Sequence, residues 1–395
     1  MKQVPKGEIT GRLEQLAELL ENNEVDFALV IQNVDRFYFT GTLQDGMLLV
    51  SRKGAMTGRS PVLFVKRTLS RARAESPLSS IVGYRRLEEI GDYVKDNNLP
   101  SGVIGLEQDV LPASVHRAVE SLFPGSEVVD ISQAIRMMRA VKSEFEIENM
   151  REAGSRLDRV FEKVRDCIRP GLTELDLYEL FTGYLLEEGS CPFVRARRFN
   201  MEVLPCYILS GPSAAKHSSI DSPSSGGEGL TVAYPAGAGK RRMQEGEPIL
   251  IDAVFSYEGY HIDCTRVFAA GEVEGRFLRA HHLSKRCHEL FCREVSAGKQ
   301  VSDIYRAVRG TVDDEGLGGA FMGKVNFIGH GIGLELDELP VIFEGYRGAV
   351  KEGMVVAFEP KFVFEDGTVG YETTYCVRDG RCEAMSNFET EIQAI

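Results

Sequence analysis

A chain of 395 residues with 43% hydrophobic and 27% charged side chains has the composition of a folded protein and more length than one ordinary core uses, so two domains are expected and global disorder is excluded. A formal net charge of -13, with a sequence pI near 5.2, repels a phosphate backbone and excludes nucleic acid as a general partner. The basic runs at 66–73 and 195–198 are short and read as solvated faces.

In chain order, Leu13, Leu16, Leu19 and Leu20 recur at helical spacing, and the apolar run 26–31 reads as a strand. Runs 47–50, 62–65 and 103–106 read as further strands, with helices at 87–95 and 113–122. That alternation predicts an α/β first domain over residues 1–140. Residues 135–150 form one charged, helix-patterned stretch that suits a linker helix into a second domain over 141–395. Amphipathic helices are expected at 150–168 and 175–188, separated by the breaker Arg169-Pro170-Gly171, with strands and loops dominating beyond 190. The Gly-rich stretch 221–246 fails as a phosphate cradle, because Tyr234 and Arg241 stand where a P-loop needs Gly and Ser or Thr. A plain surface loop, or a mobile loop over a site, remains.

The eight cysteines show no CxxC pair, so reduced thiols are the simpler reading. The first twenty residues are charged and lack the apolar centre of a secretory signal, and no apolar run approaches the roughly 20 residues that span a bilayer. A cytoplasmic location without a membrane partner is expected.

Four acids and one histidine carry the chemistry. Asp252 follows the apolar run Pro248-Ile249-Leu250-Ile251, where an unpaired carboxylate in a buried strand would cost several kcal/mol and so calls for a cation. Asp263 lies beyond the turn signal Glu258-Gly259, and a hairpin would bring the two acids face to face, repelling unless a metal neutralises them. A salt bridge from Asp263 to Arg266 is the plainer alternative. His330 sits among Gly329, Gly331 and Gly333, which permit close backbone approach and leave the imidazole open to a ligand. Glu359 ends the run 353–358, and Glu372 follows in Gly370-Tyr371-Glu372-Thr373-Thr374. Four carboxylates and one imidazole suit two divalent cations, Mn or Co first and Zn or Fe next, which would activate water and polarise a scissile carbonyl.

This ordered set, in the contexts Ile-Asp252, Gly259-Tyr260-x-x-Asp263-x-Thr265-Arg266, Gly329-His330-Gly331-Ile332-Gly333-Leu334, Phe358-Glu359-Pro360 and Gly370-x-Glu372-x-Thr374, resembles the metallopeptidase family that includes methionine aminopeptidase, aminopeptidase P and prolidase. The opening, from Arg12-Leu13 to Tyr38-Phe39-Thr40-Gly41, is similar to the creatinase-type N-terminal domain of the prolidase branch. Arg139-Ala140-Val141-Lys142-Ser143 is similar to its linker. The resemblance implies a creatinase-like α/β N-terminal domain followed by an α+β pita-bread catalytic domain with two divalent metals. It further implies a homodimer and hydrolysis of the N-terminal peptide bond, often one preceding proline. By the same likeness Glu359 would double as general base, and His217 would contact substrate near the metals.

Two departures bear on substrate. Asp337 stands where prolidases and aminopeptidases P carry a second histidine, and Gly370 where they carry an arginine before the last ligand. A carboxylate repels an anionic group that imidazole binds, and without the guanidinium a bidentate grip on a substrate carboxylate is lost. The leading expectation is an aminopeptidase or dipeptidase acting on peptides with altered Xaa-Pro preference. A small-amide hydrolase or lyase acting on a zwitterion through Asp337, and a non-catalytic binding protein, are the alternatives. His281, His282 and His288 read as a solvated helix face, and His116 and His261 have no evident partner. Five side chains scattered, or gathered around a space filled by an internal lysine or arginine, would sink the enzymatic reading and leave the fold alone.

Overall fold

The structure, a computed structural model, describes residues 3–55, 61–218, 220, 224–378 and 380–395. The chain divides into Met1–Met138 and Arg139–Ile395. In the first unit the helix Lys6–Asn22 forms where the leucines repeat and buries Leu13, Leu16 and Leu20. A six-stranded sheet follows, in the spatial order Ile81–Gly83, Val62–Val65, Gly46–Ser51, Phe27–Val30, Val103–Leu106, Glu127–Asp130. Phe27–Val30 pairs antiparallel with Gly46–Ser51 and parallel with Val103–Leu106. Alternate residues Phe27 and Leu29, with Leu49, Phe64 and Ile104, join one core with Ile90 and Val119 from the helices Glu88–Asp96 and Ala113–Leu122.

The helix expected over 135–150 is broken in two. Ser132–Ala140 ends, Val141 bridges Met354, and the Lys142 amide donates to Gly353 O at 2.9 Å. Ser143 then caps Glu144–Arg165, its hydroxyl accepting from the Glu146 amide while the Glu146 carboxylate accepts from the Ser143 amide. A serine with a glutamate three residues on opens a helix rather than continuing one, which the charge pattern alone concealed. Beside the break, Glu338 accepts from Arg139 at 2.5 Å and from Lys142 at 3.0 Å, all three side chains buried. Burial raises its pKa, but the two cations outweigh that and hold it down at about 2.

The second unit is α+β. One sheet has the order Gln393–Ala394, Tyr260–Ala269, Pro248–Tyr257, Cys206–Ser210, and the other the order Glu338–Phe343, Phe327–Gly331, Val355–Phe358, Thr373–Arg378, Arg381–Ala384. A small hairpin, Phe362–Phe364 with Gly367–Val369, joins the strands Val355–Phe358 and Thr373–Arg378 along the chain. The helices Glu144–Arg165, Glu174–Glu187, Gly275–Glu294 and Val301–Asp314 complete the unit. Glu174, fully buried, ties loops together by accepting from the Ser210 and Gly239 amides and the Ser210 and Ser213 hydroxyls. The stretch 221–246 is loop and turn, with residues 221–223 outside the described residues. Among the described residues no helix is long and apolar enough to cross a membrane.

The solvated-face expectation fails for two of the three helical histidines. His281 and His288 are buried, and only His282 is exposed. His288 stacks on Tyr371 with ring centroids 3.8 Å apart and bonds the Tyr375 hydroxyl and Tyr371 O. Burial pushes its pKa down to about 3. His281 accepts from the Gly370 amide and donates to Thr390 O. His261 is buried too, and its Nδ1 lies 3.0 Å from Gly333 O.

Candidate metal centre

The strands Pro248–Tyr257 and Tyr260–Ala269 form one hairpin, closed at Glu258 and Gly259 with φ of 49° and 89°, the left-handed pair a tight primed turn requires. Its register pairs Asp252 with Thr265 and Val254 with Asp263, which places the two acids diagonally on the same face. Thr265 then bridges Glu372, each amide donating to the other's carbonyl at 3.2 Å, so Glu372 joins that face. His330, in Phe327–Gly331, pairs with Ala357, and the Glu359 amide donates to Ile328 O. Gly331 is required here, since a Cβ would lie 2.1 Å from Leu339 O.

The five residues singled out in the sequence thus converge on the floor of one cavity of about 450 Å³, which Asp337, Tyr207, Arg198, Lys324 and Phe327 also line. Asp263, His330 and Glu372 are buried, and one ligand atom from each lies within 4.8 Å of the others. His330 Nδ1 faces the carbonyls of Gly331 and Leu336 at 3.0 and 3.1 Å, which holds a proton there and leaves the Nε2 lone pair free for a cation. Asp263 Oδ1 and Glu372 Oε1 are buried without a hydrogen-bond partner among the described residues. Two orphaned carboxylate oxygens beside an imidazole lone pair fit a divalent cation.

Asp263 does not pair with Arg266. The Arg266 guanidinium lies on the other side of the strand and donates to Glu372 O at 2.7 Å, Thr265 O at 3.0 Å, Ser386 Oγ at 2.9 Å and Phe388 O. It therefore anchors the backbone that carries Glu372. Thr265 Oγ1 donates to Glu372 Oε2 at 2.9 Å, while Thr374 Oγ1 donates to Asp263 O and accepts from its amide. These positioning roles were missed from sequence, although both threonines stand inside the motifs quoted there.

The larger surprise is Lys361. Its ammonium, 2% exposed, donates to Asp252 Oδ2 at 2.9 Å, Glu359 Oε2 at 3.1 Å and Glu372 Oε2 at 2.8 Å. An internal lysine of the kind expected to sink the enzymatic reading is therefore present, yet among the described residues it makes no hydrogen bond to Asp263 Oδ1, Glu372 Oε1 or the imidazole. Asp263, His330 and Glu372 remain together beside it as a candidate ligand group. Burial drives the Asp263 carboxyl well above the ordinary range, helped by Glu372 and Asp252. Burial also lifts Glu359, to about 7, against the opposing pull of Lys361. Lys361 is held charged, since the surrounding carboxylates outweigh its desolvation.

Asp337 is 40% exposed and its Oδ1 lies 3.4 Å from His330 Nδ1. His217 is half-buried and does not line the cavity. It packs on Gly323, where a Cβ would lie 2.6 Å from its Cε1. Gly370, with φ of 112°, approaches Pro360 so closely that a Cβ would fall 2.5 Å from Pro360 O, so a side chain here needs a different backbone. Tyr207, paired directly with Asp252, has a buried hydroxyl with no partner among the described residues, and sequence reasoning carried no signal for it.

Comparison with known proteins agrees with this geometry. An Xaa-Pro dipeptidase of Lactobacillus delbrueckii subsp. lactis is 25% identical over 370 residues, covering 92% of this chain and 93% of that protein. A probable dipeptidase PepE of Mycobacterium tuberculosis is 27% identical over 234 residues, 59% of this chain and 54% of its own. The solved X-Pro aminopeptidase of Thermotoga maritima superposes with a TM-score of 0.80 at 23% identity, covering 97% of this chain and 99% of that one. The Xaa-Pro dipeptidase of Bacillus anthracis does so with a TM-score of 0.82 at 22% identity, over 98% and 100%. These likenesses give the fold as a creatinase-type domain followed along the chain by a pita-bread catalytic domain. The creatinase/prolidase N-terminal domain profile matches residues 12–141, and the profile of metallopeptidase family M24 matches residues 148–379. The chain therefore belongs to metallopeptidase family M24 and is a metal-dependent peptidase of the hydrolase class.

Proposed function

We propose that this chain removes the N-terminal residue from peptides or splits dipeptides, as an Xaa-Pro aminopeptidase or dipeptidase with altered proline preference. The observation that carries the reading is the convergence of Asp263, His330 and Glu372 in one cavity, where Asp263 Oδ1 and Glu372 Oε1 are buried without a hydrogen-bond partner among the described residues. Mn or Co is the proposed metal, because the donors are oxygen-rich with a single nitrogen and no thiolate. A divalent cation there supplies Lewis-acid polarisation of the scissile carbonyl and activation of water. Two such ions are the family expectation, and Lys361 bears directly on that count.

The chain's own groups supply the rest. Glu359 stands at the cavity floor, positioned to take the proton of the attacking water. Arg266, Thr265 and Thr374 keep the carboxylates in place from behind. Val254, Leu336 and Val341 wall the cavity and exclude bulk water from the substrate side chain. Asp337, in place of an imidazole, favours substrates with a cationic group nearby over those that need a donor to a prolyl carbonyl. His217 is not among the residues lining the cavity, and a substrate contact for it is supported by the family resemblance alone. A homodimer and a cytoplasmic setting complete the proposal, the first supported by likeness to the prolidase branch and the second by eight free thiols.

The test is the Mn- or Co-reconstituted full chain against a panel of Xaa-Pro and non-prolyl dipeptides and longer peptides, with free or blocked N-termini. Release of the N-terminal residue, abolished by chelation and by His330→Ala, is expected. Metal bound but no N-terminal bond cleaved in any peptide would overturn it.

A further inference from the structure

We infer that Lys361 is a resident cation that takes the place of one of the two metal ions, so that this chain binds a single divalent ion, on Asp263, His330 and Glu372. The inference rests on the metallopeptidase reading of the site and deepens it. The first support is spatial. Lys361 Nζ meets one oxygen each of Asp252, Glu359 and Glu372 within 3.1 Å, which consumes every contact the structure gives to Asp252 Oδ2. Asp263 Oδ1 and Glu372 Oε1 are left unpartnered among the described residues, and Asp263, His330 and Glu372 group together without Asp252 or Glu359, Glu372 being shared with the lysine.

The second support is charge. Four carboxylates face one ammonium, and one divalent cation raises the compensating charge to three. A second divalent cation would raise it to five and crowd two ions and an ammonium among Asp263, Glu359 and Glu372, which are buried, and the partly exposed Asp252, where like charges repel strongly.

The third support is the backbone. The Lys361 carbonyl accepts from the Met322 amide at 2.9 Å, and the Lys361 amide lies 3.3 Å from Met322 Sδ. On its other side Gly370, which has no Cβ, lets the Pro360-Lys361 backbone come close, a Cβ there falling 2.9 Å from Lys361 Cα. Glycine at 370 and lysine at 361 are therefore one arrangement: the first makes room for the backbone that aims the second inward. A side chain anchored at its root, buried, and bonded to three carboxylates is a component of the site.

The experiment is metal stoichiometry by elemental analysis of the full chain, reconstituted with excess Mn2+ and freed of loose ions. Wild type should hold about one ion per chain and Lys361→Ala about two. The Mn2+ electron paramagnetic resonance spectrum should change from an isolated six-line signal to an exchange-coupled pair. In wild-type background, Asp252→Asn should keep the ion and His330→Ala should lose it, which tests the assignment even if Lys361→Ala fails to fold. Two ions in wild type, one ion in both wild type and a folded Lys361→Ala, or loss of the ion in Asp252→Asn would each overturn the inference. Peptide turnover enters none of these readouts, so a one-ion protein that cleaves no peptide would refute the proposed function and leave this inference standing.

Discussion

Gly154 lies inside the helix Glu144–Arg165, where alanine would ordinarily stabilise by about 1 kcal/mol. Here the sign reverses. A Cβ at 154 would sit 1.7 Å from Met385 O and 2.6 Å from its carbonyl carbon, distances real Cβ atoms do not adopt. The 385–387 segment cannot slide away freely, because the Met385 amide donates to Thr374 O at 2.9 Å. Ser386 Oγ and the Asn387 amide are in turn held by Asp158, one turn further along the same helix. Relieving the overlap should cost about 1–3 kcal/mol of strain and two hydrogen bonds at ~1 kcal/mol each, for a net loss of roughly 2–4 kcal/mol after the helix gain. For a unit of this size that is a fall in Tm of about 5–15 °C. Gly183, exposed in Glu174–Glu187 with open space around it, is the control, and Gly183→Ala should gain up to ~1 kcal/mol. Calorimetry of the two full-length variants checks both signs. A Gly154→Ala protein that melts at or above the wild-type temperature would refute the reasoning.

Two further outcomes follow from groups described above. Glu338 is held below its unfolded pKa by Arg139 and Lys142, so its stabilisation is complete above about pH 4.5 and drains away as pH falls toward about 2. Glu338→Gln should therefore cost roughly 3 kcal/mol in urea titrations at pH 7, with the gap to wild type closing below pH 4; a gap that stays constant with pH would contradict the ion-pair account. Asp337→His restores an imidazole donor in the cavity, and kcat/KM for an Xaa-Pro peptide relative to its Xaa-Ala counterpart should rise about tenfold, the worth of one added hydrogen bond to a charged or developing-charge group. An unchanged ratio would remove Asp337 from substrate selection.

The candidate site residues were legible in the sequence because Asp252 and Glu359 close apolar runs, Asp263 follows a hairpin turn signal and the histidine is ringed by glycines, patterns that cost stability unless something binds there. Thr265 and Thr374 lay in plain view, but their bonds to Glu372 and Asp263 exist only once the hairpin register is set. Lys361 follows Glu359 by two residues and was passed over, since its inward aim depends on Met322 and Gly370, distant in sequence. His281 and His288 were misjudged for a different reason. They share the spacing of Phe277, Ser284 and Phe291 on the buried side of Gly275–Glu294, so helical periodicity did carry the signal, and the polarity of the residue type obscured it.

A positive charge carried on the polypeptide cannot be chelated, diluted or exchanged with the medium. When free metal is scarce, the tether at Lys361 still screens Asp252, Glu359 and Glu372 from one another. The empty protein then keeps its carboxylates in place instead of splaying apart, and an arriving ion meets a pocket already shaped to receive it.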